Sequence, residues 1–304
     1  MLKQGFEFEY WVQWQVPVCA LIFIMPAVIA LKYVNKGKRG EALRSFDLWN
    51  CCWRHLNPLW LLFYRAFAFV CLAWMLCQMV AIDGPFAFYF YTQWTFALVM
   101  IYFAMATVIS AYGCWTSTKK PSSEDATTSD REEELEDDIN LRNPDTQKEI
   151  HQRVGSWGYV MQAMYHTCAG ASILTDLVFW CLLVPLEAGE QFELTLLMGC
   201  LHAMNIVFLI GDTALNTLPF TWFGFVYFVF WSSLYITFQW VVHLCGFMTW
   251  WPYPFLELNT PWAPLWYLGM ALFHVPCFWI YTMLIKAKTS LLPILFPHVY
   301  ARLN

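Results

Sequence analysis

Residues 59–81 read LWLLFYRAFAFVCLAWMLCQMVA, an apolar run broken by a single charge, Arg65. A hydrocarbon core about 30 Å thick needs roughly 20 mostly apolar residues to cross it as a helix, and this run meets that length. Six more runs of the same kind flank it, so the chain reads as an all-α, polytopic transmembrane bundle of about seven spans. In order the spans are Trp11–Leu31, Leu59–Ala81, Phe86–Gly113, Trp157–Leu186, Phe192–Asn216, Phe220–Phe247 and Ala263–Ile285. A composition of 59% hydrophobic and 13% charged residues departs from that of soluble domains in the same direction. The sixth span is the weakest of the set, because Pro219 and Gly224 interrupt its start.

Of the 17 lysines and arginines, only Lys3 and Arg65 lie outside three polar segments. Lys32 to Arg54 follow the first span, Lys119 to Arg153 follow the third, and Lys286, Lys288 and Arg302 follow the last. Positive segments stay in the cytoplasm, so the amino terminus is expected outside and the tail inside. The start of the chain, with Lys3 beside Glu7 and Glu9 and no small-residue cleavage site, reads as an uncleaved reverse anchor. The chain divides accordingly into spans one to three (1–115), an acidic cytoplasmic loop (116–153), spans four to seven (154–286) and a cytoplasmic tail (287–304). Trp11, Trp14, Trp250, Trp251, Tyr253 and Trp262 fall near the expected outer boundary, where amphipathic rings favour the headgroup layer.

The loop contains Ser129-Asp-Arg-Glu-Glu-Glu-Leu-Glu-Asp-Asp138 and almost no large apolar side chains. It cannot bury enough surface to offset its chain entropy and reads as disordered. Ser122 and Ser129 each precede an acidic residue three positions on, a pattern suited to an acid-directed kinase; the plainer reading is a solvated tether that could also hold scaffold partners. The net charge of −5 comes largely from this loop, and with no basic groove among the aromatics nucleic acid is not an expected partner. The 11 cysteines form no C-x-x-C or zinc-like pattern and lie mostly inside spans, which implies free, buried thiols. Cys51, Cys52 and Cys114 fall near the cytoplasmic surface, where reversible palmitoylation is the alternative.

Polar residues within spans are costly unless paired and are therefore the candidate functional groups. His202, Asn205, Asp212 and Asn216 in span five follow a 3–7–4 spacing, which on a continuous helix confines them to one stripe. Gln239 and His243 sit one turn apart in span six, His166 and Asp176 in span four, and Thr92, Gln93 and Thr95 open span three. At about 1.5 Å per residue, Thr92 and His243 fall roughly 8–10 Å below the outer surface and His202 roughly 12–17 Å, so the three could share one cavity. Arg65 and Asp212 belong nearer the cytoplasmic face, where pairing would satisfy two charges. Polarity alone also fits a bland reading in which the threonines bond the preceding turn and the histidines join helices. His274 and Pro276 read as marks of a kink, and Glu257 as a residue ordering an outer loop; as a metal ligand Glu257 lacks convincing partners, with His243 alone keeping that reading open.

Leu201-His202-Ala-Met-Asn205, Trp240-Val-Val-His243-Leu-Cys-Gly246 and Tyr253-Pro-Phe-Leu-Glu257 resemble signature stretches of the androgen-induced and androgen-dependent (TFPI-regulating) membrane proteins. Phe88-Tyr-Phe-Tyr-Thr92-Gln-Trp-Thr-Phe96 resembles the stretch around that family's threonine, most closely in its plant and rolling-stone-like branch. Animal members are described as intramembrane threonine hydrolases of fatty acid esters of hydroxy fatty acids. The resemblance therefore implies Thr92 as nucleophile and His202 as its base, with lipid esters as substrates and no cofactor or metal. Gln93 and Asn205 are candidate oxyanion donors, with His243 and Asp176 in support. Thr95 competes with Thr92 as the matching threonine. The additional first span and the acidic loop depart from the shorter animal hydrolases, and rolling-stone-like relatives are associated with cell fusion instead of a defined reaction. Two other classes stay open: a non-enzymatic membrane scaffold, and a small-solute transporter using the stripe of span five. The location implied is the plasma membrane or the endoplasmic reticulum.

The charge asymmetry makes a direct prediction: in intact cells, an epitope placed before Lys3 is stained without permeabilisation and one placed after Asn304 is stained only with it. The reverse pattern would overturn the orientation.

Overall fold

The computed structural model describes residues 8–35, 43–118, 155–187 and 195–300. The acidic segment with Ser122 and Ser129 lies outside them almost entirely. Among the described residues, seven helical stretches are long and apolar enough to cross a membrane. They are built from α1 (Gln15–Asn35), α2 (Pro58–Asp83), α3 (Tyr91–Thr118), α4 (Ser156–Val178), α5 (Leu196–Leu201) with α6 (Met204–Leu215), α7 (Phe225–Leu244) and α8 (Ala263–Leu295). The two ends of the bundle are conveniently called the Tyr253 end and the Lys288 end.

Local chemistry sets several helix ends. The Asn57 side chain accepts from Leu59 N at 3.0 Å, and Pro58, which has no N–H to leave unsatisfied, opens α2. Gly84 closes the same helix at φ 65°, a conformation open to glycine, and turns the chain through Gly84–Tyr89 into α3. The interruption expected from Pro219 and Gly224 delays α7 until Phe225 without abolishing the span. At the far end α8 runs past Ile285 to Leu295, because Lys286 and Lys288 end the apolar run but do not break a helix.

Packing is inverted relative to a soluble domain. Phe63, Phe67, Trp74 and Leu272 point outward, while Arg65, Ser110, Asn205, Asp212 and Gln239 are buried. Close approaches rely on glycine: a Cβ at Gly170 would collide with Phe228, one at Gly211 with Tyr64, and one at Gly224 with His166. The interior forms two cores that meet on α4. Met161, Tyr165, Cys168 and Ala169 face a core shared with α2, α3 and α6. Ala171, Leu174 and Val178 face a second core built with α1, α7, α8 and the segment around Tyr253.

Near the Lys288 end, Arg65 and Asp212 are fully buried with Arg65 Nε 2.7 Å from Asp212 Oδ1. Arg65 Nη1 also donates to Leu48 O and Ser110 Oγ, at 2.8 and 2.7 Å. Asp212 Oδ2 accepts from Tyr102 OH at 2.6 Å and from Asn216 Nδ2 at 2.7 Å, and Lys288 Nζ reaches Asn216 O at 2.6 Å. Beside this network the chain between α1 and α2 joins the ends of α6 and α8 through Cys52 N to Leu215 O and Arg54 N to Val299 O, both 2.8 Å. Cys51, Cys52 and Cys114 are buried, and Cys52 Sγ donates to Ala214 O at 3.2 Å, so none presents a thiol for acylation. Other cysteines, Cys77, Cys181 and Cys245, are exposed on the bundle surface, in contrast to the expectation of buried thiols throughout.

Removing one charge of a buried pair strands the other in low dielectric. Asp212→Leu is expected to lower stability by about 3–5 kcal/mol. Thermal unfolding in detergent micelles measures this, and an unchanged midpoint would show that the pair does not hold the bundle.

Candidate functional site

At the Tyr253 end, the first turn of α3 is held from three sides. Tyr89 O accepts from Tyr235 OH at 2.8 Å and from Gln239 Nε2 at 2.6 Å, which fixes the strand of chain entering the helix. Trp94 Nε1 donates to Phe88 O at 2.8 Å. Tyr91 N donates to Tyr253 OH at 3.1 Å, and Tyr91 OH lies 2.8 Å from Ser232 Oγ. Burial raises the Tyr253 phenol above its ordinary pKa, keeping it a neutral hydroxyl against the first turn of α3. The segment Tyr253-Pro-Phe-Leu-Glu257 thus closes this end over α3, with Tyr253 stacked on Phe255.

Beneath that closure lies a cavity of about 70 Å³ bordered by Thr92, Thr175, Ser232, Tyr253 and His274 among apolar side chains. A space of that size holds roughly two waters. Ser232, Ile236, Leu256, Met270 and His274 also border a groove of about 430 Å³ between α1, α7 and α8. Leu21, Met25 and Leu272 on its rim are exposed on the outer surface of the helices. The groove on the lipid-facing side of the bundle and the small, almost wholly apolar chamber therefore share one wall.

His202 is placed differently. Span five is not one helix: α5 ends at Leu201, Ala203 N turns back to Cys200 O at 3.2 Å, and α6 starts at Met204. At this break the His202 ring stacks flat on Phe179, with centroids 3.6 Å apart, and Trp180 Nε1 donates to His202 O at 2.9 Å. Phe179 begins a π-helical turn, Phe179–Leu183, that continues α4. Asp176 Oδ1 accepts from Asn205 Nδ2 at 3.1 Å and lies 3.5 Å from Thr175 Oγ1. Asp176 Oδ2 and His202 Nδ1 are buried without partners.

The residues singled out from sequence therefore fall into three groups. Thr92 lines the cavity; Thr95 is fully buried and outside the lining; Gln93 is buried beside them on α3. Asn205 and Asp176 are hydrogen-bonded across α4, with the lining residue Thr175 next to Asp176, and His202, stacked on Phe179, is not among the cavity's lining residues. No hydrogen bond among the described residues joins Thr92 to His202. Asp212 and Asn216 belong to the Arg65 network, about two turns or more along α6 from Asn205, and the helix break separates only His202 from the other three. His243 has both ring nitrogens against carbonyls, Nδ1 at 2.8 Å from Gln239 O and Nε2 at 2.9 Å from Trp250 O, and is committed to holding the end of α7. Among the described residues, no group of three His, Cys, Asp or Glu side chains could hold a metal ion.

Sequence reasoning missed Ser232 and the cavity role of His274. A serine in an apolar span carries no distinguishing mark, and His274 next to Pro276 reads as a kink until its surroundings are known. No protein-family model, curated protein or solved structure matches this chain.

Proposed function

We propose that the chain is an intramembrane hydrolase of lipid esters in which Thr92 supplies the attacking oxygen. One observation carries the reading: Thr92 borders a small apolar cavity that shares a wall with a groove opening on the lipid-facing surface. The resemblance of its flanking stretch to the androgen-induced and androgen-dependent membrane proteins supports the same residue. In this scheme the Thr92 hydroxyl loses its proton to an imidazole as its oxygen bonds to the ester carbonyl carbon. Collapse of the tetrahedral intermediate expels the alcohol, which takes up that proton, and water then cleaves the acyl-threonine to release the acid. Two histidines offer the base. The resemblance points to His202, which does not line the cavity, while His274 borders the cavity itself. The oxyanion would be met by donors near the first turn of α3, with Gln93 the nearest amide and Asn205 the alternative across α4.

In this proposal the amino terminus faces outward and the tail the cytoplasm, in the plasma membrane or endoplasmic reticulum, with the acidic segment as a kinase or scaffold contact. A second reading, small-solute transport, is favoured by one feature: the break in span five beside the unpartnered carboxylate oxygen of Asp176. Discontinuous helices facing buried charge mark solute sites in transporters.

Hydrolysis of a panel of lipid esters by membranes carrying matched amounts of variants tests the enzyme. Thr92→Ala is expected to lose activity by a factor of about 100 or more, since it removes the nucleophile, and Thr95→Ala to stay within a fewfold of wild type. The larger loss between His202→Ala and His274→Phe assigns the base. No activity above control with any ester would move the reading to transport or a scaffold.

A further inference from the structure

His274, which borders both the cavity and the groove, carries an acceptor that no protein group uses. His274 Nδ1 lies 2.7 Å from Met270 O, and because a carbonyl can only accept, the ring proton must be on Nδ1. Nε2 is then a bare lone pair. It is buried without a hydrogen-bond partner, on a residue only 8% exposed, and the ring is packed 4.6 Å from that of Phe228. A buried acceptor with no donor is unfavourable, and a ligand that donates a hydrogen bond relieves it.

The surroundings narrow the donor. The side chains bordering the cavity include hydroxyls, phenols and hydrocarbon but no lysine or arginine. An ionised carboxylate or phosphate would enter an apolar space without a counter-charge, and it would present oxygen lone pairs to the lone pair of Nε2. An uncharged hydroxyl meets neither obstacle. The rest of the ligand is set by the groove between α1, α7 and α8, whose walls are almost wholly hydrocarbon and which meets the cavity at Ser232, Met270 and His274.

We infer that the cavity and groove bind an uncharged lipid alcohol, with its hydroxyl donating to His274 Nε2 and its chain lying between α1, α7 and α8. The inference deepens the proposed function, since such an alcohol would be the leaving half of the ester. It rests on the cavity being the lipid site and is tested by binding alone, so that an absence of hydrolysis leaves it standing.

The full chain in lipid nanodiscs is labelled with a diazirine-bearing hexadecanol in competition with unlabelled hexadecanol, its methyl ether or palmitic acid. Hexadecanol is expected to compete at about three- to tenfold lower concentration than the ether or the acid, the size of one hydrogen bond. His274→Phe, which keeps the ring and loses the acceptor, should erase that preference, and His274→Gln, which offers an amide oxygen, should restore part of it. Equal competition by the ether or the acid in the wild type would overturn the proposal, and so would an unchanged preference in His274→Phe. If His274→Phe does not fold, the ranking of competitors on the wild type decides alone.

Discussion

The buried pairing of Arg65 with Asp212 is the constraint on which the arrangement of helices depends. In lipid, neither charge has water to fall back on, so each must find its partners inside the protein. Arg65 brings Leu48 O from the segment before α2 and Ser110 from α3; Asp212 brings Tyr102 from α3 and Asn216 from the end of α6. Beside them, Tyr165, Thr213 and Tyr281 form a hydroxyl chain with both links at 2.6 Å, adding α4 and α8. Satisfying two charges thus fixes the register of most of the bundle at the Lys288 end. Hydrophobic burial could not do so, because lipid tails are as apolar as the side chains facing them.

The Tyr253 end is organised by weaker bonds, and that difference suits a site. There the polar groups are hydroxyls, amides and imidazoles rather than charges, and they surround an unfilled space instead of one another. α4 joins the two regimes: its first half packs with Tyr102 and Leu209, and its second half, from Ala171 to Val178, faces the cavity side. The π-helical turn that follows shifts the facing of Phe179 and Trp180 by one residue and turns them toward the break in span five. Such turns inside helices often accompany functional sites.

The spans could be read from sequence because length and hydropathy are what the bilayer demands of them, and the described residues contain seven. Their interruptions could not. Leu201-His202-Ala-Met-Asn205 contains no proline or glycine at the break, so a continuous helix, and with it one polar stripe, was the natural expectation. The break at Ala203 takes His202 off that stripe, and the remaining polar residues divide by their depth along α6, Asn205 near its start and Asp212 and Asn216 at its end. Polarity marked Arg65 and Asp212 as residues in need of partners, but which helices supply them is a matter of packing. Likewise a histidine can be found by its letter, whereas the tie of Nδ1 to Met270 O and the vacancy at Nε2 of His274 exist only in three dimensions.

The groove between α1, α7 and α8 has a consequence for recognition. A lipid entering through a rim made of Leu21, Met25 and Leu272 exchanges one hydrocarbon surrounding for another. Its chain, however long, gains little from the transfer, because the hydrophobic effect acts only when water is left behind. On the proposed reading, discrimination between lipids then falls to the few polar groups bordering the cavity. The quantity governing occupancy is the mole fraction of the ligand in the surrounding leaflet, not its concentration in water.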